Sequence, residues 1–311
     1  MRPVAVVGTG SIGVAFGIVF ASASRYVRMW DPIADSLGRA RHDIADRLAM
    51  LASRGLLREP AEDVAARITF HDELEHALWD VELVQECAPE DIDLKRRLFD
   101  LLGRHAPADA VLASSSSALI PSQYGAGLDF QDRILGAHPG NPPYLLRVIE
   151  LVRSPETSDK FLDLAAEIYA DAGLTAVFVR KEVEGFLFNR LQGALLREAY
   201  CLVRDGVATV EDIDEVVRSG LGLRWSLMGP FETVDLNTRG GVQAHAARMG
   251  PAYERMGAER GQHDPWTPDL VASVVAQRRR LLPLDAWEQR VRWRDERLML
   301  LRSFKDLQEE S

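Results

Sequence analysis

Thiols are scarce: Cys87 and Cys201 are the two cysteines in 311 residues, and neither lies in a CxxC or Cys/His ligand spacing. A disulfide scaffold and a thiolate metal site are excluded, and a reduced, metal-free cytoplasmic protein is the expectation. No uninterrupted apolar run reaches about 18 residues, so no membrane-spanning helix is expected. A signal-peptide pattern is missing too, since Met1-Arg2-Pro3 leads straight into a short apolar strand. Positive charge is in deficit, with 37 Lys and Arg against 47 Asp and Glu, a formal net charge of -10. That sign excludes nucleic acid and anionic membrane as partners of the whole surface. An anionic small molecule can bind only where local cations oppose the field. Internal repeats are absent, and the one low-complexity segment is Ser114–Ser117. What remains is ordinary globular composition, 47% hydrophobic and 27% charged, at a length that suits two domains.

Short β-rich runs alternate with amphipathic stretches through the first half. Val4–Val7, Tyr26–Trp30, Ile68–Phe70, Val81–Gln85, Val111–Ala113, Ile134–Ala137, Val148–Val152 and Ala176–Val179 read as strands. Helical patterns fall at Ser11–Ala23 and Ile33–Arg54. Such alternation predicts a mostly parallel sheet covered by helices on both faces. Past Gly185 the strand signal stops. Phe186–Val203 carries Leu187, Leu191, Ala194, Leu195 and Leu202 at helical spacing, and Glu211–Arg218, Val271–Leu282 and Ala286–Gln308 continue in kind. The expected boundary gives an α/β domain over 1–184 and an all-helical domain over 185–311. Trp287 and Trp293 are expected on a helix packing face.

Gly8-Thr9-Gly10-Ser11-Ile12-Gly13 fits G-x-G-x-x-G. The pattern alone is common, but here it follows a strand and opens a helix at the start of a βαβ unit. The first glycine allows the tight turn, the second lets backbone approach a pyrophosphate, and the third permits close helix–strand contact. The helix N-terminus adds free N–H groups and a positive dipole. Asp31 closes the second strand, where an acid binds adenosine ribose hydroxyls and repels a 2′-phosphate, so NAD is expected over NADP. Gly8, Gly10, Ser11, Ile12, Gly13 and Asp31 are thus the cofactor candidates, and the fold expectation becomes a Rossmann-type doubly wound sheet. Arg28 points to the opposite face of the same strand. A structural glycine turn with a surface Asp31 is the competing reading.

His138 ends a strand in Gly136-Ala137-His138-Pro139-Gly140-Asn141-Pro142-Pro143, and three prolines and a glycine turn that strand end into a shaped loop. Glu150 lies inside the apolar run Val148–Val152, where a carboxylate is costly unless paired. Two neighbouring strands would bring the pair within reach and orient the imidazole for general base work. Singly, each fits a structural role, as a satisfied core histidine or an edge-strand acid; together they point to catalysis. Ser114–Ser117 follows a strand at the carboxyl end of the sheet, where ligands bind, and also reads as a turn and helix cap. Asn189 sits one turn into a helix, where its propensity is poor, and a contact across the interdomain cleft is expected.

GTGSIG, the SSSS segment, HPGNPP, VIELV, GFLFNR and the stretch from Gly220-Leu221-Gly222-Leu223-Arg224-Trp225 through Gly229-Pro230-Phe231-Glu232-Thr233 carry a resemblance. Over nearly the whole chain they resemble the 3-hydroxyacyl-CoA dehydrogenase family, most closely its lambda-crystallin, L-gulonate 3-dehydrogenase branch. The resemblance implies a catalytic tetrad of Ser117, His138, Glu150 and Asn189, with NAD contacts from Glu90 and Lys95. Ser117, Asn141 and Asn189 are the implied substrate contacts, and the helical domain is implied to build a homodimer. The implied reaction oxidises the 3-hydroxyl of a small anionic hydroxy acid, L-gulonate to 3-dehydro-L-gulonate, in the cytoplasm. Two positions depart from the branch: Gly140 replaces a bulkier apolar residue, which is expected to widen the pocket, and Asp235 replaces a histidine, adding negative charge.

Three other readings compete. A short-chain 3-hydroxyacyl-CoA dehydrogenase needs cations for the CoA phosphates after the second strand. Arg39, Arg41, Arg47 and Arg54 lie there, offset by Asp35, Asp43 and Asp46. A carnitine-type substrate calls for a cation–π wall, with Trp225, Phe231, Tyr253 and Trp266 as candidates. A non-catalytic crystallin-like protein would not need the tetrad. Against a net charge of -10, a free acid needs a local guanidinium. Arg224, expected at a helix end beside the flexible Gly220 and Gly222, is the candidate, with a plain surface arginine as the alternative.

Overall fold

Val4–Val7 (β1) is buried throughout, with Val4 and Val6 in one core and Ala5 and Val7 in another. Burial on both faces is why the run carries no polar residue. The computed structural model describes residues 1–262, 267–291, 293, 297 and 304, and the chain divides into two units, Met1–Leu196 and Arg197–Ser311.

In the first unit β1 is followed by α1 (Ser11–Ser22), β2 (Val27–Trp30), α2 (Ala34–Ser53), α3 (Ala61–Ala66) and β3 (Ile68–His71). Then come α4 (Leu74–Leu78), β4 (Leu83–Glu86), α5 (Ile92–His105), β5 (Val111–Ser114) and α6 (Pro121–Gly125). The unit continues with β6 (Ile134–Pro139), β7 (Val148–Arg153), α7 (Asp159–Asp171) and β8 (Thr175–Val179). One sheet holds all eight strands in the order β3-β2-β1-β4-β5-β6-β7-β8. Every neighbouring pair is parallel except β6 and β7. Helices α1, α2 and α7 cover one face through Phe16, Ile44 and Tyr169, and α4, α5 and α6 cover the other through Leu78, Phe99 and Tyr124. The sheet is doubly wound, as its strand–helix alternation predicts. Strand order reverses between β1 and β4, which opens a crevice at their carboxyl ends.

The helix α8 (Phe188–Arg204) spans the residues where one unit gives way to the other. Helix α9 (Val210–Glu215) runs through a π-helical turn, Val216–Leu221, into α10 (Gly222–Trp225). Gly220 and Gly222 therefore lie in continuous helical backbone (Gly222 φ -65), which corrects the expectation of flexible chain beside Arg224. Next come α11 (Pro230–Asn237), α12 (Gly241–Glu259) and α13 (Pro268–Leu281). Three glycines and Pro251 inside α12 hide it from propensity. The expected helix over Ala286–Gln308 falls largely outside the described residues, as does Trp266. Within reach of description, Trp287 Nε1 donates to the Asp235 carbonyl at 2.7 Å, and Arg290 lies 3.5 Å from the centre of the Trp293 ring.

Asp235 is completely buried, accepts the Val242 N–H at 2.9 Å, and is paired with Arg278 and Arg279. Its charge is neutralised in place, so the expectation that Asp235 adds negative charge to a substrate pocket is corrected. No described helix is long and apolar enough to cross a membrane.

Candidate active site

The glycine turn sits at the carboxyl end of β1, beside β4. Gly8 has φ +98, and a Cβ there would lie 2.8 Å from the Cys87 backbone; a Cβ on Gly13 would lie 1.9 Å from the Gly8 carbonyl oxygen. Those two glycines are demanded by close packing. A Cβ on Gly10 would meet nothing within 4 Å, so its backbone is open to a ligand. Gly10 also caps α1 without a side-chain acceptor, which leaves the first N–H groups of Ser11, Ile12 and Gly13 for an anion. Asp31 braces the turn: Oδ2 accepts the Thr9 N–H and hydroxyl, both at 2.9 Å, and Oδ1 accepts the Ile33 N–H at 3.0 Å. Arg28 turns the other way and donates to the Trp79 carbonyl. A cavity of about 940 Å³, lined by Gly8, Gly10, Ser11, Trp30, Asp31 and Ile33, opens here. Its open glycine, uncapped helix and rim carboxylate fit a dinucleotide.

Antiparallel pairing of β6 with β7 sets His138 directly opposite Glu150. Along β6, Leu135 and Ala137 enter the α1-side core, and along β7 so do Ile149 and Leu151. Period two sends His138 and Glu150 together to the other face. Both are buried, at 7% and 3% exposure, and Glu150 Oε2 holds His138 Nδ1 at 2.7 Å. The second oxygen, Oε1, accepts the N–H groups of Leu187 and Phe188 at 2.7 and 2.9 Å, where α8 begins. Glu150 thus satisfies orphan donors of a helix N-terminus, a favourable place for a carboxylate. The chain reaches this point through two left-handed residues, Gly185 (φ +76) and Phe186 (φ +48). A phenylalanine there is strained by roughly 1–3 kcal/mol. Its ring is fully buried against Val152 and Val179, 5.7 Å from the His138 ring.

The serine segment leaves β5 next to β6, with Ser114 paired to Gly136. Ser114 and Ser116 are buried, whereas Ser117 is exposed. Asn189 Nδ2 donates to the Ser117 carbonyl at 3.0 Å, so the expected contact of Asn189 falls within the first unit. Glu90 accepts from the Ser116 hydroxyl and from the N–H groups of Ala118 and Leu119 at 3.1 and 3.2 Å. Partial burial opposes its ionisation, yet those donors and the Lys95 charge hold its carboxyl below the ordinary glutamate value. Lys95 is fully enclosed, its Nζ on Glu86 at 2.8 and 2.9 Å. Ser117, His138, Glu150 and Asn189 thus gather at one end of the sheet, and Glu90 and Lys95 flank the serine segment.

Asn141 is exposed in the loop after β6. Arg224 belongs to the second unit, in the last turn of α10, half-buried and without an ion-pair partner among the described residues. Trp225, Phe231 and Tyr253 are exposed on three different helices of that unit. Gly140 is buried, and a Cβ there would stand 3.0 Å from Leu146 and Val148. Neighbouring side chains fill the space of the missing one, so the expectation of a wider pocket is corrected. Two residues escaped the reading of the sequence: Glu86, whose partner lies a helix away, and Phe186, whose one signal is the preceding glycine.

The NAD binding domain of 3-hydroxyacyl-CoA dehydrogenase matches residues 3–183, and the C-terminal domain of that enzyme matches residues 185–280. The chain belongs to the 3-hydroxyacyl-CoA dehydrogenase family. It is 36% identical to a lambda-crystallin homolog of Bos taurus over 306 residues, 97% of this chain and 95% of that protein. It is 39% identical to the L-carnitine dehydrogenase of Streptomyces griseus over 268 residues, 86% of this chain and 76% of that one. Among solved structures, 3-hydroxybutyryl-CoA dehydrogenase from Escherichia coli K12 superposes with a TM-score of 0.67 at 28% identity, covering 81% of this chain and 52% of that one. This member of the 3-hydroxyacyl-CoA dehydrogenase family therefore carries the family's NAD-binding domain and is an NAD-dependent oxidoreductase.

Proposed function

We propose that the protein oxidises the 3-hydroxyl of a small free 3-hydroxy acid with NAD, and that its substrate is L-gulonate, giving 3-dehydro-L-gulonate. One observation carries the reading. His138 Nδ1 is committed to Glu150, which leaves Nε2 to take a proton. When bound, NAD accepts the hydride that leaves C3. His138 removes the hydroxyl proton at Nε2, and Glu150 fixes the tautomer and stabilises the imidazolium. The Ser117 hydroxyl and the Asn189 side chain, which is tethered to the Ser117 carbonyl, hold the substrate oxygen as it becomes a carbonyl.

A free acid is favoured over a CoA thioester because three of the four arginines after β2 already have partners. Arg39 donates to Ser36, Arg41 covers the Phe70 ring at 4.6 Å, and Arg47 donates to Ser11. The motifs shared with the lambda-crystallin branch support L-gulonate. Identity of 39% to an L-carnitine dehydrogenase makes a carnitine-type acid the second reading. NAD reduction measured on L-gulonate, 3-hydroxybutyrate, L-carnitine and 3-hydroxybutyryl-CoA decides among them; the highest kcat/KM is expected on L-gulonate, and preference for the thioester overturns the reading. Arg224 is the proposed holder of the substrate carboxylate. Arg224→Met should raise KM for the free acid 10- to 100-fold, about 1.5–3 kcal/mol for a charged hydrogen bond, and spare the thioester. Equal losses on both substrates remove Arg224 from the site.

The same reading places the protein in a reducing cytoplasm, where free Cys87 and Cys201 persist, with domains at 1–184 and 185–311. A homodimer through the helical domain is supported by α8, which has no buried residue although Leu191 and Tyr200 are 66% and 75% exposed. Such apolar exposure calls for a partner surface. Light scattering should show twice the chain mass, and a monomer at micromolar concentration contradicts it.

A further inference from the structure

Glu86 ends β4, and both it and Lys95 are without exposed surface. Two charges withdrawn from water need each other and further hydrogen bonds. Lys95 Nζ lies 2.9 and 2.8 Å from the Glu86 oxygens, and 3.4 Å from both the Ala88 carbonyl and Ser114 Oγ. The carboxylate is saturated in turn: Oε1 accepts the Ala88 N–H at 2.6 Å, and Oε2 accepts the Ser114 hydroxyl at 2.5 Å.

A serine hydroxyl ordinarily rotates to suit its surroundings. An ionised acceptor removes that freedom, since a charge-assisted bond is about twice as strong as a neutral one. With its proton fixed on Glu86, Ser114 Oγ presents its acceptor side to the Ser116 N–H at 3.2 Å. Ser116 hands the order on: its hydroxyl donates to Glu90 and accepts the Leu119 N–H at 2.9 Å. Glu90 also receives the Ala118 N–H. Ser117 is the residue between these anchored positions, and its own hydroxyl takes no part in the network.

We propose that Glu86, acting through Ser114, is a positioning residue for Ser117, and that Lys95 serves the site by holding Glu86. The buried pair fixes one hydroxyl, that hydroxyl fixes the backbone at Ser116, and the loop then aims Ser117 at the reacting oxygen. The inference rests on the proposed contact of Ser117 with that oxygen.

Ser114→Ala tests it, because the change removes one oxygen and leaves the Glu86–Lys95 pair intact. The readouts are kcat, the NAD dissociation constant and Tm for Ser114→Ala, Ser117→Ala and the double variant. Ser114→Ala should lower kcat by about 10- to 100-fold, the scale of a displaced catalytic group, with NAD affinity near that of the parent and a lower Tm, because the buried Glu86 carboxylate and Ser116 N–H each lose a partner. In the Ser117→Ala background the same change should add less than about 2-fold, because residues acting as one unit are not additive. Multiplying losses, an unchanged kcat, or a loss of NAD affinity matching the loss of kcat overturns the proposal. A Ser117→Ala enzyme with parental kcat instead refutes the contact on which it rests. Should Ser114→Ala fail to fold, Ser114→Cys, close in volume and a weak donor, gives the same comparison.

Discussion

Exchanging Glu150 for Gln keeps the side-chain volume and removes one charge, and the geometry dictates the outcome. The carboxylate accepts three hydrogen bonds, from His138 Nδ1, Leu187 N–H and Phe188 N–H. An amide offers one acceptor oxygen. If that oxygen stays with the two backbone donors, the amide NH₂ faces Nδ1, which must then become an acceptor. The ring proton moves to Nε2, the nitrogen meant to receive the substrate proton. The flipped amide instead sets NH₂ against two part-buried N–H groups, each donor losing its acceptor at a cost toward the low end of about 1–3 kcal/mol. The first arrangement is cheaper, so the fold survives while the base is lost. Turnover should fall by about two to four orders of magnitude, the usual worth of general base catalysis. Stability should fall by roughly 1–3 kcal/mol as charged hydrogen bonds become neutral. Steady-state formation of reduced cofactor gives kcat, calorimetry gives an NAD affinity that should not move, and histidine nitrogen shifts in NMR report the tautomer. Parental kcat, or lost kcat with the Nδ1–H tautomer retained, refutes the reasoning.

Asp31→Ala should erase the preference for NAD over NADP and also weaken NAD itself, because Asp31 braces Thr9 and Ile33 and lines the cavity beside the glycine turn; titration with both cofactors checks it, and an unchanged ratio contradicts it. Gly140→Ala should cost about 1–3 kcal/mol by overpacking against Leu146 and Val148, read as a lower Tm with the substrate ranking kept. The carboxyl of Glu90, 40% exposed, is held below its ordinary value of 4.5, so its contribution to stability is present above that value and lost as pH falls through the lower folded-state value. Melting curves of Glu90→Gln and the parent should therefore converge in acid and separate, with the parent higher, above the ordinary glutamate range.

The sheet was legible because strands buried on both faces are apolar throughout, as Val4–Val7 is, and because glycine turns break the runs. His138 and Glu150 were legible through cost: a carboxylate inside Val148–Val152 demands a partner, and antiparallel register supplies it. Glu86 was not, since a carboxylate at a strand end reads as exposed and Lys95 lies on the following helix. Asp235 likewise reads as an uncompensated charge, because its neutralising Arg278 and Arg279 come from α13. Gly220 and Gly222 suggested flexibility that helical backbone does not have, because tertiary context overrides propensity.

The direct test of the central claim is isotopic. L-Gulonate carrying deuterium at C3 is incubated with the protein and NAD, and the reduced cofactor is examined by mass spectrometry. The account predicts deuterium in the nicotinamide ring and slower turnover than with unlabelled substrate. Reduced cofactor without the label, or none formed at all, contradicts hydride transfer from C3 of L-gulonate.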